Sequence, residues 1–197
     1  MNGVTAILLA AGLSKRFGAA NKLLEKIDGE AMVRRVAVAV CASKAMRIVV
    51  VLGHEADLIA DALSGLALET VLNSDFGDGQ ISSVRVGVRA VGDDATGFMM
   101  CLGDQPLLTS ADYDALIDAF SEQPDRVLVP FLAGKRGNPV ILPIALRDDI
   151  LAGGVNVGCR QFIDSHPQLV HRLDVSNPGY RNDFDTPEHF TKNQQAT

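Results

Sequence analysis

Short apolar runs alternate along the chain with longer segments in which apolar residues recur at helical spacing. The runs predict buried strands at 4–10, 47–52, 68–72, 98–102, 127–131 and 140–142. The segments between them predict helices at 31–43, 55–63, 81–90 and 110–120. Because strands and helices alternate, we expect a single-domain, three-layer α/β/α fold with a mostly parallel, doubly wound sheet. Ligands bind such sheets beyond the carboxyl ends of the strands, so the loops after the first and fourth strands are candidate sites.

The composition is compatible with one domain and a real core. The 197 residues are 47% hydrophobic but only 5% aromatic, and tryptophan is absent. Ala, Val, Leu and Ile must therefore fill the core, which suits helices stacked on a parallel sheet. We expect the domain to span 1–191 and the polar tail, 192–197, to be disordered.

Charge and cysteine content exclude several classes of protein. The net charge of −6 makes a nucleic-acid surface unexpected. No apolar run is long enough to span a bilayer, and the N-terminus has no secretory signal pattern. Cys41, Cys101 and Cys159 form no C-x-x-C pair, so neither a zinc site nor a disulfide framework is supported. We therefore expect a cytoplasmic, reduced protein that binds neither nucleic acid nor membrane.

The loop after the first strand combines small residues with positive charge. It reads Leu9-Ala10-Ala11-Gly12-Leu13-Ser14-Lys15-Arg16-Phe17-Gly18, and Lys22 follows shortly after. Small residues let backbone N–H groups approach an anion, and the cations add point charges, which together suit a polyphosphate. A flexible surface loop with solvated charges explains the composition equally well. Neither the Walker pattern nor G-x-G-x-x-G occurs here.

Other candidate residues also have plain structural explanations. Asp104, in Gly103-Asp104-Gln105-Pro106, follows the fourth strand and could reach a metal ion on a triphosphate. Taken alone, an Asp at this position is better explained as a turn residue. Ser82 or Ser83 could simply cap a helix, and the segment 136–139 could be a β-turn without a ligand.

The motifs together resemble those of the molybdenum cofactor nucleotidyltransferases, and most closely the cytidylyltransferase group. The first loop, followed by Asn21-Lys22-Leu23-Leu24, matches L-A-A-G-x-S-x-R-x-G with Lys-Leu-Leu soon after. Asp104 lies in the family's G-D-Q-P-L, and 183–188 matches D-x-D-T-P-E. The chain departs from the family at Asn138, where many members have His. It departs again at Val155-Asn156, where the family has Gly-Asp.

The resemblance implies a nucleotide-diphospho-sugar transferase-like fold and a specific set of site residues. The implied nucleotide-binding residues are Leu9, Ala10, Ala11, Gly12, Ser14, Arg16, Lys22, Asn73, Ser83 and Gly103. The implied catalytic residues are Arg16, Lys22 and Asp104. The implied acceptor-binding residues are Arg136, Asn138 and Arg160. The implied ligands of a Mg²⁺ cofactor are Asp104, Asp183 and Asp185.

The resemblance also implies a reaction. We expect transfer of CMP from CTP to molybdopterin with release of pyrophosphate, and possible delivery of the product to a molybdoenzyme. A methyl group at Ala11, where the guanine-using branch typically has Gly, would favour the smaller pyrimidine. Two alternatives stay open: a same-fold nucleotidyltransferase that uses GTP or another phosphorylated acceptor, and a non-catalytic cofactor-binding accessory protein.

The two C-terminal aspartates have different expected roles. Residues two apart on an extended segment point to the same side, so Asp183 and Asp185 could face one ion. However, 185–188 also has the pattern of a helix start, with Asp185 as N-cap and Glu188 completing a capping box. We therefore expect Asp183 to bind the metal and Asp185 to be mainly structural. The four histidines show no metal-binding spacing and are expected to be surface or hydrogen-bonded residues.

Overall fold

The computed structural model describes residues 3–13, 21–153 and 160–184. The strands are β1 Gly3–Ala10, β2 Lys26–Ile27, β3 Glu30–Ala31, β4 Arg47–Leu52, β5 Glu69–Leu72, β6 Ala95–Leu102, β7 Val127–Leu132, β8 Lys135–Arg136, β9 Val140–Pro143 and β10 Val170–Val175. The α-helices are α1 Met32–Cys41, α2 Ala56–Ala62, α3 Gln80–Arg89, α4 Ser110–Glu122, α5 Arg147–Ala152 and α6 Arg160–Ser165. Short 3₁₀ turns cover Lys22–Leu24, Phe76–Asp78, Ile144–Leu146, Pro167–Leu169 and Pro178–Tyr180.

The main sheet has the order β10-β7-β9-β6-β1-β4-β5, and β8 pairs with β7. β1 lies in its interior, parallel to β4 on one side and to β6 on the other. β5 and β10 are also parallel to their neighbours, whereas β9 runs antiparallel to β6 and β7. The carboxyl ends of β1, β4, β5 and β6 therefore meet at one edge.

Two apolar layers cover the two faces of the sheet. On one face, α1, α2 and α4 pack through residues such as Val36, Ile59 and Leu116 against one side of β1. On the other face, α3 and α5 pack through residues such as Val88 and Ile150. Alternate residues of a strand point to opposite faces, so the apolar residues of β1 contribute to both layers. This arrangement confirms the predicted α/β class and the mostly parallel, three-layer architecture.

The remaining differences from the predicted elements lie at one side of the sheet and in short segments. The pattern did not predict β10, whose charged residues alternate with apolar ones along a strand without a fully buried face. Nor did it predict the hairpins β2–β3 and β7–β8. The segment 133–139, which joins β7 to β9, contains β8 and turns at Ala133 and Gly134, both with positive φ.

Two further observations concern the cysteines and the helix lengths. Cys101 is buried, whereas Cys41 is only partly buried. Burial raises the pKa of Cys101 well above its ordinary value and raises that of Cys41 to a smaller degree. Among the residues with described placement, no helix is both long and apolar enough to cross a bilayer. Cys159 and the tail 192–197 lie outside the described residues.

Candidate functional site

The first loop begins where three strand ends are held together by backbone hydrogen bonds. The Gly103 N–H after β6 donates to the carbonyl of Leu9, at 3.2 Å. On the other side, the His54 N–H after β4 donates to the carbonyl of Ala11, at 3.4 Å. Because β1 is parallel to both neighbours, residues that follow these three strands must lie close together. The first loop and Asp104 therefore leave the sheet side by side.

Gly53 permits the close approach of the β4 end to the first loop. A Cβ atom at this position would lie 2.7 Å from Ala11 Cβ and 2.9 Å from the Ala11 carbonyl oxygen. It would also lie 2.8 Å from Phe76 Cβ, so any larger residue would push these segments apart. Sequence reasoning did not single out Gly53, although a glycine directly after a buried strand was an available signal. The Ala11 methyl is itself buried against this glycine.

Lys22 and Asp104, which are 82 residues apart in sequence, form an ion pair at this edge. Lys22 Nζ lies 2.6 Å from Asp104 Oδ2, and the two side chains are only 16% and 19% exposed. Lys22 opens a 3₁₀ turn that Asn21 caps, because Asn21 Oδ1 accepts a hydrogen bond from the Leu23 N–H at 3.1 Å. The cap fixes the direction in which the lysine leaves the backbone.

The second carboxylate oxygen of Asp104 is the less satisfied atom of the pair. Oδ1 is buried and has no hydrogen-bond partner within the described part of the chain. A buried acceptor without a donor costs about 1–3 kcal/mol, and more when it is charged. A simple turn residue would gain nothing from this arrangement, whereas a cation ligand requires a free oxygen.

The C-terminal segment brings a second carboxylate to the same place. The Phe184 N–H donates to the Asp104 carbonyl at 2.9 Å, which sets 183–184 beside 104–105. Asp183 Oδ1 accepts a hydrogen bond from Gln105 Nε2 at 2.8 Å. Asp183 thus lies next to the Asp104 segment although 78 residues separate it from Gln105.

These two carboxylates suit a divalent ion that is bound together with a nucleotide. Mg²⁺ is usually held by one or two carboxylates plus substrate phosphates rather than by an all-protein cage. In keeping with that, the described residues contain no cluster of three or more His, Cys, Asp or Glu that could hold a metal. Two observations are consistent with such an ion at Asp104. Oδ1 has no hydrogen-bond partner among the described residues, and Oδ2 already contacts a cation, the Lys22 ammonium.

Asn73 is buried at the end of β5, where its side chain organises the start of α3. Its Nδ2 donates to the hydroxyls of Ser82 and Ser83 at 2.9 and 3.0 Å, and its Oδ1 accepts from the Asp75 N–H at 3.0 Å. Neither serine is the cap of α3, because Gly79 occupies the N-cap position. Asn73 and Ser83 are both buried, and the hydrogen bond between them holds the end of β5 against the start of α3.

Two of the residues expected to bind the acceptor, Arg136 and Asn138, contact the segment that carries Asp183. The Asn138 N–H donates to the Tyr180 carbonyl at 2.8 Å, so the β8–β9 connection is joined to the segment that carries Asp183. The Arg136 guanidinium pairs with Asp164 of α6. Arg181, which sequence reasoning missed, donates from Nε to the Arg136 carbonyl at 3.2 Å. An arginine two residues before the predicted metal ligand was the only signal for it.

Several predicted residues cannot be placed in this geometry. Ser14, Lys15, Arg16 and Asp185 lie outside the described residues, as does the side chain of Arg160 at the start of α6. The structure therefore brings together Leu9, Gly103, Lys22, Asp104 and Asp183, with Ala11 directly after β1 and Asn73 directly after β5. Of the histidines, His54 lies beside Phe76, with ring centroids 6.0 Å apart.

Comparisons with known proteins give the family. The model of the MobA-like NTP transferase domain matches residues 6–170. A curated relative, the nicotine blue oxidoreductase of Paenarthrobacter nicotinovorans, is 28% identical over 193 residues, covering 94% of this chain and 93% of its own.

Solved structures share the fold. Rv0371c from Mycobacterium tuberculosis H37Rv superposes with a TM-score of 0.86 at 23% identity, covering 98% of both chains. Its manganese complex superposes with a TM-score of 0.80 at 21% identity and the same coverage. A nucleotidyl transferase from Methanothermobacter thermautotroptrophicus gives 0.79 at 22% identity, over 98% of this chain and 99% of its own. These likenesses confirm the nucleotide-diphospho-sugar transferase-like fold. With the family model matching most of its length, the chain belongs to the MobA-like NTP transferase domain family, as its resemblance to the molybdenum cofactor nucleotidyltransferases predicted.

Proposed function

We propose that this chain transfers CMP from CTP to the terminal phosphate of molybdopterin, releasing pyrophosphate. Membership of the NTP transferase family supports the nucleotidyl transfer. The observation that carries the proposal is the Asp104 carboxylate at the end of β6. One of its oxygens contacts Lys22, and the other is buried without a hydrogen-bond partner among the described residues. A metal–triphosphate complex needs a carboxylate for the metal and a cation for the phosphates. Asp104 and Lys22, beside a loop of small residues, are groups of these two kinds.

The chemistry requires alignment and charge neutralisation more than proton transfer. The acceptor phosphate is already anionic, so no general base is needed. Asp104 and Asp183 would hold Mg²⁺, which supplies charge neutralisation at the α-phosphate. The loop amides, Arg16 and Lys22 would hold the β- and γ-phosphates, which leave as pyrophosphate. We expect no covalent intermediate.

The ion pair suggests how Lys22 changes partner. Without ligands, its ammonium occupies the place of a cation at Asp104. With Asp104 holding a divalent cation, Lys22 would turn Nζ to another anion, and the phosphates of the nucleotide are anions that an ammonium binds. A divalent requirement is further supported by the fold relative solved with manganese.

A nucleotide screen tests the proposal. The purified protein is incubated with molybdopterin and each of CTP, GTP, ATP and UTP, with Mg²⁺ or Mn²⁺, while pyrophosphate release and product mass are followed. We expect CTP to give the cytidylylated pterin, and the product to be passed to a molybdoenzyme. A higher rate with GTP would overturn the cytidine assignment. Tight cofactor binding without pyrophosphate release would instead support an accessory protein.

The name of the full-length relative suggests a second candidate. The nicotine blue oxidoreductase matches 94% of this chain over 93% of its own length, so oxidoreduction of a nicotine-blue-type dye is the second candidate for this scaffold. The assay therefore includes reduced nicotinamide nucleotides with a heteroaromatic dye as electron acceptor. Dye reduction without pyrophosphate release in the nucleotide arm would favour this second function over cytidylyl transfer.

A further inference from the structure

Gln105 is a buried polar residue that the reaction scheme has not used. Its side chain is 1% exposed and lies directly after Asp104. Its Nε2 donates to Asp183 Oδ1 at 2.8 Å and approaches the Tyr180 carbonyl oxygen at 3.4 Å. Both partners are acceptors, so the orientation of the amide is fixed by its contacts.

The oxygen of the same amide, Gln105 Oε1, is buried and lacks a hydrogen-bond partner within the described residues. Such an acceptor is destabilising, and an unbranched apolar side chain of similar size, such as Met, would fill the space without it. Packing alone therefore gives no reason for an amide at this position. The distinctive result of the amide is its bond to the Asp183 carboxylate.

Other contacts hold the backbone of the same segment but not that carboxylate. Phe184 N–H bonds to the Asp104 carbonyl. The Tyr180 hydroxyl donates to the Asp112 carbonyl at 2.9 Å, and Asn177 Nδ2 donates to Asp112 Oδ2 at 2.8 Å. Of these contacts, the bond from Gln105 is the one that acts on the carboxylate itself. Among these contacts, those of the backbone place the segment and that of Gln105 contacts the carboxylate.

We propose that Gln105 is a positioning residue that orients the Asp183 carboxylate towards the divalent ion held with Asp104. The inference rests on the proposed function, because it requires a metal–nucleotide complex at this edge. A carboxylate held in one orientation by a second residue loses less conformational freedom when it binds the ion. Burial of Oε1 without a donor among the described residues lowers the stability of the fold, and this loss accompanies the orientation of the Asp183 carboxylate.

The test compares Gln105→Met with Tyr180→Phe. Binding of Mn²⁺ in the presence of CTP, without acceptor, is measured by electron paramagnetic resonance of the free ion. Loss of the outer partner of a metal ligand typically weakens affinity about 10–100-fold, and we expect Gln105→Met to fall in that range. Its melting temperature should stay near or above that of wild type. Tyr180→Phe should melt lower and bind Mn²⁺ as wild type does.

A double-mutant cycle identifies the route of the effect. If Gln105 acts through Asp183, Gln105→Met should weaken Mn²⁺ binding little further in an Asp183→Asn background. Gln105→Asn, which keeps the amide on a shorter stem, should weaken binding without introducing an apolar group. Unchanged Mn²⁺ affinity in both Gln105 variants, or a full effect in the Asp183→Asn background, would overturn the inference. Failure of the wild type to bind Mn²⁺ with CTP would instead overturn the proposed metal site.

Discussion

The Lys22–Asp104 pair gives the sharpest prediction. One mutation of Lys22 should lower the stability of the ligand-free protein and weaken CTP binding, while it increases the stabilisation by Mn²⁺. Lys22→Met keeps most of the side-chain volume but removes the ammonium. It leaves the Asp104 side chain, which is 19% exposed, without the lysine at Oδ2, while Oδ1 already lacks a hydrogen-bond partner in the part of the chain that the structure describes. The ligand-free protein should therefore become less stable.

The size of the loss follows from burial. Removing one partner of a fully buried pair costs about 3–5 kcal/mol, and partial exposure of this pair lowers our expectation to about 2–3 kcal/mol. At about 2–4 °C per kcal/mol for a chain of this length, the melting temperature should fall by about 4–12 °C. Lys44→Met is the matched control, because Lys44 pairs with Asp118 at the same 2.6 Å but with side chains 56% and 60% exposed. An exposed pair contributes little, so this variant should melt near wild type.

Mn²⁺ and CTP should affect the Lys22→Met variant in opposite directions relative to wild type. Mn²⁺ alone should stabilise Lys22→Met more than wild type, since no ammonium competes for Asp104. CTP affinity should fall by about 1.5–3 kcal/mol, or about 10–150-fold, because a charge-assisted hydrogen bond to phosphate is lost. Thermal shift against Mn²⁺ and calorimetry with CTP measure the two terms. Equal Mn²⁺ stabilisation of both proteins, or unchanged CTP affinity, would show that Lys22 does not alternate between carboxylate and phosphate.

Three further predictions follow. Asp104→Asn should remove most pyrophosphate release at any Mg²⁺ concentration while circular dichroism shows a folded protein; near-normal rates at low Mg²⁺ would mean that the carboxylate holds no metal. Asp183→Asn should raise the Mg²⁺ concentration needed for half-maximal rate, whereas Asp185→Asn should not, and the opposite pattern would reverse their roles. Burial raises the pKa values of Cys41 and Cys101 above their ordinary 9.0. These thiols favour the folded state below pH 9, and that contribution should be lost as pH rises above it. Urea unfolding at stepwise higher pH should therefore show a decline that Cys101→Ala reduces, and an unchanged slope in that variant would contradict the assignment.

The sequence determined the layers of the fold and the edge of the sheet that carries the site. Continuous apolar runs marked strands such as β1 and β4, because a strand covered on both faces must be apolar throughout. Helical spacing marked α1 and α4, because each buries one face. The family motif marked Lys22 and Asp104. The strand and helix predictions depend on local hydrophobic patterns, which reflect how deeply each residue is buried.

Only the tertiary structure decided which of these residues meet. A short run such as Val140–Leu142 has the same pattern in either direction, so the antiparallel course of β9 depends on the neighbouring hairpin. The charged β10 carries too weak a pattern to be predicted alone. Likewise, no local signal joins Lys22 to Asp104 across 82 residues or Gln105 to Asp183 across 78. Hydrophobic pattern specifies burial without specifying partners, whereas the ion pair and the orienting amide exist only where the folded chain has set their atoms within hydrogen-bonding distance.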